Sequence, residues 1–413
     1  MPWREVSAVS LRCEFVQFAV REGCCMRALC RRYGISPKTG YKWVHRYVQE
    51  GQTGLEDRSS RPRHSPTRTA RSMERSVLAV RSAHPAWGGR KIRARLLHLD
   101  HSGVPSASTI TEILRRHGRI DPETTAKRKA VQRFERDDPN ALWQMDFKGH
   151  FRLKRGRCHP LTVLDDHSRF AIGLQACGNE RGRTVQEHLR RMFERYGLPE
   201  QMLMDNGPPF GGPRFGEHTR LTAWLMRLGI GVAHGRPYHP QTQGKDERFH
   251  RTVDVEVIQR HRPDRMGRCQ ELFDRWRDVY NFERPHQALD MQVPGNRYRP
   301  SERSLPNRLE PIEYGPDDVV RKVQGKGEIY YRGCTYLVGK GLRDQPVALR
   351  PTSTDGQLDV FFCRQRVGRI DLSKPWKHGR NRTDITQKHS QRNKERERRL
   401  RRLRLSTRLD KKR

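Results

Sequence analysis

The sequence predicts a multidomain protein with an all-α N-terminal part, a central α/β domain, a small C-terminal β-barrel and a basic tail. Apolar residues recur at helical spacing up to about residue 118 and alternate with period two from residue 141. Gly-rich turns then divide residues 315–372 into short apolar runs that favour strands. With 413 residues, the chain is long enough for about three domains.

The charge balance predicts a polyanionic partner. Lys and Arg number 84 against 47 Asp and Glu, a formal net charge of +37, which is typical of nucleic-acid-binding proteins. No apolar run is long enough to span a membrane, and charges interrupt the first apolar stretch, so we expect a cytoplasmic protein without a membrane partner. The nine cysteines form no C-x-x-C pair and are expected to be reduced thiols.

The first domain, residues 1–50, is predicted to contain a helix-turn-helix. Ser36 can cap the second helix of this motif, and Pro37 suits its first position because that position needs no N–H donor. We expect the apolar face of this helix to consist of Tyr41, Val44 and Val48. The candidate DNA-contacting side chains point elsewhere and are Lys38, Lys42, His45 and Arg46. A helical hairpin with a solvated basic face is the alternative.

Two linkers and a second helical block are predicted to follow. Residues 51–71 are rich in Gly, Ser, Pro and Arg and are predicted to be an extended linker. Residues 72–118 repeat the pattern of the first block and predict a second helix-turn-helix-like domain, followed by a linker over 119–138. Because residues 1–136 carry 28 basic against 12 acidic residues, this third of the chain is predicted to hold DNA.

The central domain, residues 139–300, begins with three predicted strands in a meander and continues with alternating helices and strands. The strands are predicted at 142–147, 159–164, 169–176, 202–204 and 230–234, and the helices at 184–196, 217–228, 243–260 and 268–282. This order predicts a mixed sheet with helices on both faces.

The C-terminal part is predicted to hold a small β-barrel and a tail. Five or six short strands separated by Gly-rich turns predict the barrel over residues 313–373. Residues 374–413 contain 17 basic against 4 acidic residues and few aromatic ones, so this basic tail is predicted to be disordered when free.

Three acidic residues are candidates for metal-assisted chemistry because each lies at a predicted strand end or helix start. Asp146 lies in the first strand, Asp205 follows an apolar strand before an Asn-Gly turn, and Glu247 opens a helix. Hard divalent ions prefer oxygen ligands, and two such ions can assist attack on a phosphodiester. The chain has 47 acidic residues, so position alone does not single out these three.

Five segments, in this order, resemble bacterial insertion-sequence transposases with a retroviral-integrase-type DDE core. They are Trp143–Phe147 (WQMDF), Asp165–Arg169 (DDHSR), Met204–Gly207 (MDNG), Tyr238–His250 (YHPQTQGKDERFH) and Tyr280–Leu289 (YNFERPHQAL). The resemblance is specific over roughly residues 140–300. The double helical arm with Trp87–Ile92 (WGGRKI) extends it to most of the chain.

The resemblance implies a ribonuclease-H-like (integrase) core in which Asp146, Asp205 and Glu247 are the catalytic triad and bind two Mg²⁺ or Mn²⁺ ions. It also implies DNA contacts from Tyr238, Gln241 and Lys245. Asp246 is the rival of Glu247, but one step along a helix turns a side chain by about 100°, so only one of them can face the sheet edge. The family motif selects Glu247.

Two details qualify the match. The 41 residues between Asp205 and Glu247 exceed the usual spacing of the family and indicate an insertion. Asp165 and Asp166 are expected to cap the turn between the second and third strands.

We therefore expect a DDE-type transposase that binds the terminal inverted repeats of its element, exposes a 3′-hydroxyl and joins it to target DNA. It is expected to act as a homo-oligomer, a dimer or tetramer, on double-stranded DNA in the bacterial nucleoid. A non-catalytic DNA-binding regulator derived from a transposase is one alternative, since the helical arm and the charge would serve it equally well. A structure-selective nuclease with the same core is another.

Overall fold

The computed structural model describes residues 7–58, 68–120, 136–212, 217–235 and 244–376. The chain divides into two compact units, Met1–Thr69 and Ala70–Arg413. Within the ranges described, no helix is both long and apolar enough to cross a membrane.

The first unit contains three helices, α1 (Ala8–Ala19), α2 (Met26–Arg32) and α3 (Pro37–Glu50). The predicted helix-turn-helix corresponds to α2 and α3. The Ser36 hydroxyl accepts a hydrogen bond from the Thr39 N–H at 3.2 Å, and Pro37 occupies the first helical position, so the predicted cap is confirmed. The core side chains of this unit come from all three helices and from the turn after them: Phe15, Val16, Leu29, Cys30, Trp43 and Leu55.

The prediction for the apolar face of α3 is wrong for Tyr41 and Val48, whereas Val44 packs against the core of the first unit. Tyr41 and Val48 are 60% and 73% exposed, whereas Gly40 and Trp43 are buried. Trp43 offers the larger apolar surface, and the missing side chain of Gly40 lets α3 approach α1 and α2 closely, so the helix turns this side inward. Tyr41 therefore lies on the exposed side, next in sequence to Lys42.

The linker begins later than predicted. Gly51–Leu55 form a 3₁₀ helix, and Leu55 is fully buried in the core of the first unit. The isolated Leu55 gave no periodic signal, because one apolar residue in a Gly-rich stretch is also typical of a loop. Most of the remaining predicted linker, residues 59–67, lies outside the described residues.

Replacing Gly40 by Ala should destabilise the first unit. An added Cβ would stand 2.5 Å from the Cys30 Sγ and 2.9 Å from the Phe15 Cζ, which forces α3 away from its neighbours. Overpacking of this kind costs about 1–3 kcal/mol. Hydrogen exchange measured by mass spectrometry should therefore quicken across α1–α3. The matched control is Gly88→Ala, since nothing lies within 4 Å of a Cβ there. Equal exchange in the two variants would contradict the packing argument.

The second unit begins with three further helices, α4 (Arg71–Ala83), α5 (Gly89–His98) and α6 (Ala107–Arg116). They enclose their own apolar core, which includes Val77, Trp87, Ile92 and Ile110. The Ser106 hydroxyl caps α6 by accepting from the Thr109 N–H at 3.2 Å. The second helical block therefore forms where the sequence placed it.

A mixed sheet with helices on both faces forms the centre of the unit, as predicted. Its strands are β1 (Trp143–Phe147), β2 (Phe151–Arg152), β3 (Arg157–Asp165), β4 (Ala171–Cys177), β5 (Gln201–Met204) and β6 (Gly231–His234). The main order is β4-β3-β1-β5-β6, and the short β2 pairs with the start of β3. β1 runs antiparallel to β3 but parallel to β5, and β5 is parallel to β6.

Helices cover the two faces of this sheet. They are α7 (Gly182–Tyr196), α8 (Arg220–Arg227), α9 (Gly244–Val253), a π-helical turn (Asp254–Ile258), α10 (Gln259–His261) and α11 (Met266–Phe282). Side chains of α7 and α8 pack with Trp143 and Met145 on one face. Those of α9 and α11 pack with Leu164 and Leu174 on the other face.

The C-terminal part forms two sheets, and the predicted closed β-barrel does not occur in the described residues. β7 (Val319–Lys322), β10 (Pro346–Pro351), β11 (Gln357–Phe362) and β12 (Gln365–Asp371) form an antiparallel sheet of order β12-β11-β10-β7. β8 (Glu328–Tyr331) and β9 (Cys334–Leu337) form a separate hairpin. Among the described strands, β7 pairs only with β10 and β12 only with β11, so both are sheet edges and the sheet does not close. All six strands lie within residues 313–373, where the sequence predicted five or six.

Candidate active site

Asp146 and Asp205 lie side by side at the carboxyl ends of two parallel strands. Asp146 is the fourth residue of β1, and Asp205 directly follows β5. Gln144 on β1 is paired with Leu203 on β5. Asp146 and Asp205 each follow two residues later, so the two aspartates lie opposite one another on neighbouring strands. Functional groups gather at this edge of open α/β sheets because parallel strands end there together.

The Asp146 carboxyl is partly buried and close to a second negative charge. Burial, followed by the charge of Asp205, raises its pKa to about 7. The Phe147 N–H donates to Oδ1 at 2.8 Å and acts against this shift. The Thr162 hydroxyl on β3 donates to the Asp146 carbonyl oxygen at 3.0 Å, which fixes the strand at this point.

The turn after β5 holds Asp205 in place. Burial raises the pKa of Asp205, whereas a hydrogen bond from the Gly207 N–H and the neighbouring His234 lower it. The Asn206 side chain donates to the Gly235 carbonyl oxygen at 2.7 Å and thereby ties the turn to the end of β6. Oδ1 of Asp205 is buried and accepts no hydrogen bond from any described group. This atom is therefore available for a ligand.

Helix α9 places Asp246, and not Glu247, beside Asp146. Phe249 and Val253 are buried against the sheet, and Asp246 lies on the same side of the helix, three residues before Phe249. Asp246 is 2% exposed, and burial followed by the charge of Asp146 raises its pKa well above the usual value. Glu247 is exposed. Only one of the two acids faces the sheet, as expected, but it is Asp246 and not Glu247, the residue that the family motif selected, because the burial of Phe249 and Val253 fixes the rotation of α9. The assignment of Glu247 to the triad stays a prediction.

Asp165 and Asp166 have different roles at the turn after β3. Asp165 accepts hydrogen bonds from the Ser168 N–H and hydroxyl at 2.8 and 2.5 Å, so it caps the turn as expected. Asp166 is fully buried and pairs with the Lys245 ammonium at 2.5 Å, and it also accepts from the Gln144 amide at 2.6 Å. It therefore ties the first turn of α9 to the sheet, so the expectation that it caps the turn is wrong for Asp166.

The three predicted DNA contacts around this edge stay predictions. Lys245 is engaged by Asp166 and is largely buried by it, so a phosphate would have to compete with that ion pair. Tyr238 and Gln241 lie outside the described residues.

Glu180 is an acidic neighbour of the site that the sequence analysis missed. Its charge adds to the shifts that raise the pKa of Asp146 and of Asp205, both of which are due mainly to burial. His159 on β3 holds it through a contact of 2.8 Å between Nδ1 and Oε1. The sequence did contain a signal for Glu180. This residue follows β4, the third strand of the meander, by three positions, and β4 ends at the same edge of the sheet as β1.

The carboxylates suit a hard divalent cation, although they are not gathered around one point. Asp146 and Asp205 offer oxygen ligands, and Oδ1 of Asp205 is buried without a hydrogen-bond partner among the described residues. Among the residues that the structure describes, no three His, Cys, Asp or Glu side chains form a group that could hold a metal ion.

The basic face of α3 forms a second candidate surface in the first unit. Lys38, Lys42 and His45 are exposed and recur at helical spacing, whereas Arg46 is half-buried. The Lys42 ammonium and the Arg46 guanidinium lie 4.5 and 5.0 Å from the centre of the Trp43 ring. The ring thus orients two of the four predicted DNA-contacting side chains.

Models of five protein domains match the chain. The integrase core domain matches residues 136–240, and a second integrase core model matches 228–294. The C-terminal domain of IS481 family transposases matches residues 318–377. A helix-turn-helix domain matches residues 14–63, and a homeodomain-like domain matches 39–114.

Curated relatives include proteins of bacterial insertion elements. An uncharacterized 31.7 kDa protein of insertion element IS407 from Burkholderia multivorans is 25% identical over 229 residues, 54% of this chain and 80% of that protein. An uncharacterized 39.2 kDa protein of IS476 from Xanthomonas euvesicatoria is 23% identical over 54% of this chain and 63% of its own length. The Gag-Pro-Pol polyprotein of squirrel monkey retrovirus is 33% identical over 28% of this chain and 6% of its own length.

Solved structures of retroviral integrases also match. The catalytic core domain of HTLV-2 integrase, in complex with magnesium, is 14% identical over 39% of this chain and 97% of that one, with a TM-score of 0.31. A chain of the simian T-cell lymphotropic virus intasome is 15% identical over 69% of this chain and 92% of that one, with a TM-score of 0.36.

Proposed function

Because the chain belongs to the bacterial insertion-sequence transposases with an integrase-type core, we propose that it cuts the ends of its element and joins the exposed 3′-hydroxyl to target DNA at the edge that carries Asp146 and Asp205. The single observation that supports this site best is the placement of these two aspartates side by side where β1 and β5 end. Two like charges in a partly buried place repel one another, so a protein that only bound DNA would gain nothing from them.

Asp146, Asp205 and Glu247 are the residues proposed to hold divalent ions, Mg²⁺ or Mn²⁺. Two such ions, when bound, supply activation of the attacking oxygen and stabilisation of the leaving oxygen. The chain itself orients the ligands, since the Phe147 N–H holds the Asp146 carboxylate and the turn through Gly207 holds that of Asp205. Glu247 lies on the first turn of α9, one residue beyond the buried Asp246, so it would join the pair only if that turn moved.

The first unit is proposed to read the terminal repeats through Lys38, Lys42, His45 and Arg46. A helix whose exposed side is basic fits the major groove of DNA, and ammonium and guanidinium groups neutralise phosphates. The second helical block is proposed to add further contacts. Cutting and joining two ends together requires more than one active site, so a dimer or tetramer on DNA is proposed as the working form.

The proposal is tested with the full-length protein and a duplex that ends in the terminal repeat of the element. Cleavage at the element end and joining to a second duplex are expected only when Mg²⁺ or Mn²⁺ is present, and a chelator should remove both. A regulator without catalysis would bind the same duplex and give neither product in any metal.

Replacing Lys42 by Ala should weaken binding to the terminal repeat. The loss of one phosphate contact should reduce the slope of log affinity against log salt by about 1. Binding isotherms over a salt series measure this effect. The matched control is Arg21→Ala, which removes one exposed positive charge from the same unit but away from α3. An equal change in both variants would show that only total charge matters and would refute the role of α3.

A further inference from the structure

Strand β4 lies at one end of the central sheet, and side chains of α11 cover its outer side. β4 pairs with β3 alone, so its other backbone edge meets no strand among the described residues. The Gln270 amide accepts from the Ala176 N–H at 2.8 Å and donates to the Leu174 carbonyl oxygen at 3.2 Å. The Asn281 amide makes the same two contacts with the backbone of Ala171, at 2.8 and 3.1 Å. Helix α11 therefore takes the place of a neighbouring strand.

Arg277 faces the same backbone edge from α11 but carries a charge. It is 9% exposed, and its guanidinium donates to the Ile172 carbonyl oxygen at 3.0 Å. Within the described part of the chain, Arg277 has no other hydrogen-bond partner and no carboxylate pairs with it. A guanidinium has five N–H donors, and the burial of an unpaired charge is costly. Arg277 therefore has donors left for an anion.

Two arginines of α7 line the same cavity as Arg277. This cavity has a volume of about 310 Å³ and is lined by residues of β4, α7 and α11, among them Arg191 and Arg195. Both are exposed and lie one helical turn apart, and neither forms an ion pair within the described ranges. Asp274 is the single acid of the lining. The cavity thus gathers three guanidinium groups against one carboxylate.

We propose that this cavity is a binding site for a phosphate group, held by Arg191, Arg195 and Arg277. Three like charges around one cavity repel one another, and an anion between them turns that repulsion into attraction. Guanidinium groups pair with phosphate oxygens through parallel N–H···O bonds. The site is separate from the edge that carries the aspartates, because β3 lies between β4 and β1.

The number of arginines favours a phosphate over a carboxylate. A phosphate group offers at least three strong acceptor oxygens, so each of the three guanidinium groups has an oxygen to bind. A carboxylate has two oxygens and would leave one group without a partner. Inorganic phosphate and the backbone of a DNA strand share this chemistry, and the net charge of +37 suits either anion.

Titration calorimetry of the full-length protein with inorganic phosphate, at constant ionic strength, tests the site. Arg191→Gln should weaken phosphate binding about 10-fold, because a charge-assisted hydrogen bond to one phosphate oxygen is lost. The matched control is Arg190→Gln, which removes an exposed charge from the same helix, one residue away and outside the cavity lining. Equal phosphate affinity in the two variants would overturn the proposal.

Arg277→Met tests the buried charge. This variant also loses the contact to Ile172, so its melting temperature without phosphate is expected to differ from that of the unaltered protein. The readout is therefore the rise in melting temperature that added phosphate produces, since a ligand stabilises the folded state that binds it. We expect this rise in the unaltered protein and in Arg190→Gln, and its loss in Arg277→Met. An undiminished rise in Arg277→Met would contradict the assignment.

Binding of a duplex of random sequence shows whether the phosphate belongs to a DNA strand. If it does, Arg191→Gln lowers the slope of log affinity against log salt by about 1 relative to Arg190→Gln. Equal slopes together with weakened binding of inorganic phosphate would assign the site to free phosphate.

Light scattering tests the rival occupant, a carboxylate of a second copy of this chain. Loss of self-association in Arg191→Gln, with unchanged affinity for inorganic phosphate, would identify that carboxylate as the occupant and refute the phosphate site. None of these measurements depends on cleavage or joining of DNA, so this proposal and the proposed function fail separately.

Discussion

Asp205→Asn should bind end-containing DNA like the unaltered protein and yet produce no Mg²⁺- or Mn²⁺-dependent nicking or joining. The amide has the size of the carboxylate but no charge, so it cannot offset the repulsion between two divalent ions. Metal-assisted charge stabilisation is worth several kcal/mol, and a loss of about 4 kcal/mol corresponds to a roughly 1,000-fold lower rate. A gel shift measures binding, and labelled products resolved on a sequencing gel measure the chemistry.

Asp278→Asn is the matched control for this result. Asp278 is an exposed acid on α11, so the same change of charge there should leave both assays unaltered. Joining by Asp205→Asn at the rate of the Asp278 variant would place the active site elsewhere in the chain.

Much of the fold was predictable because local signals agree with the packing. The cap at Ser36, the period-two alternation of β1 and the apolar run of β5 each define an element without help from distant residues. The two-residue β2 and the π-helical turn after α9 were not predicted, since neither has a periodic pattern. Closure of a barrel depends on pairing between the first and last strands, and alternation within each strand cannot specify that pairing.

The aspartate pair was predictable for a different reason. Strand ends can be read from the sequence, and neighbouring parallel strands end at one edge, so Asp146 and Asp205 were expected near it. Glu180 was missed because its position relative to Asp146 and Asp205 depends on how the start of α7 packs against the segment after Asp205. The predicted buried face of α3 was wrong because the burial of Trp43, rather than the number of apolar residues on a face, determines which side of the helix faces the core.

Glu247 and Asp246 are the clearest case of information that the sequence alone lacks. The two are adjacent acids, and which one faces the sheet depends on the rotation of α9. That rotation is fixed by Phe249 and Val253, whose burial against α11 and the sheet turns Asp246 inward. Turning Glu247 into the place of Asp246 would expose both apolar side chains, so Glu247 can join the pair only through a movement confined to the first turn of α9.

Glu247→Gln is accordingly expected to abolish joining as fully as Asp205→Asn does, whereas Asp246→Asn should remain active. Burial, followed by the charges of Asp146 and Asp166, raises the pKa of Asp246, and an amide keeps the shape of this buried carboxyl without adding a charge. Glu247 is exposed, and its replacement removes a charge that the proposed divalent ions would require. Both variants should shift end-containing DNA equally, which separates a loss of chemistry from a loss of folding. An inactive Asp246→Asn together with an active Glu247→Gln would make Asp246 the third carboxylate and would show that the helix already presents the catalytic acid.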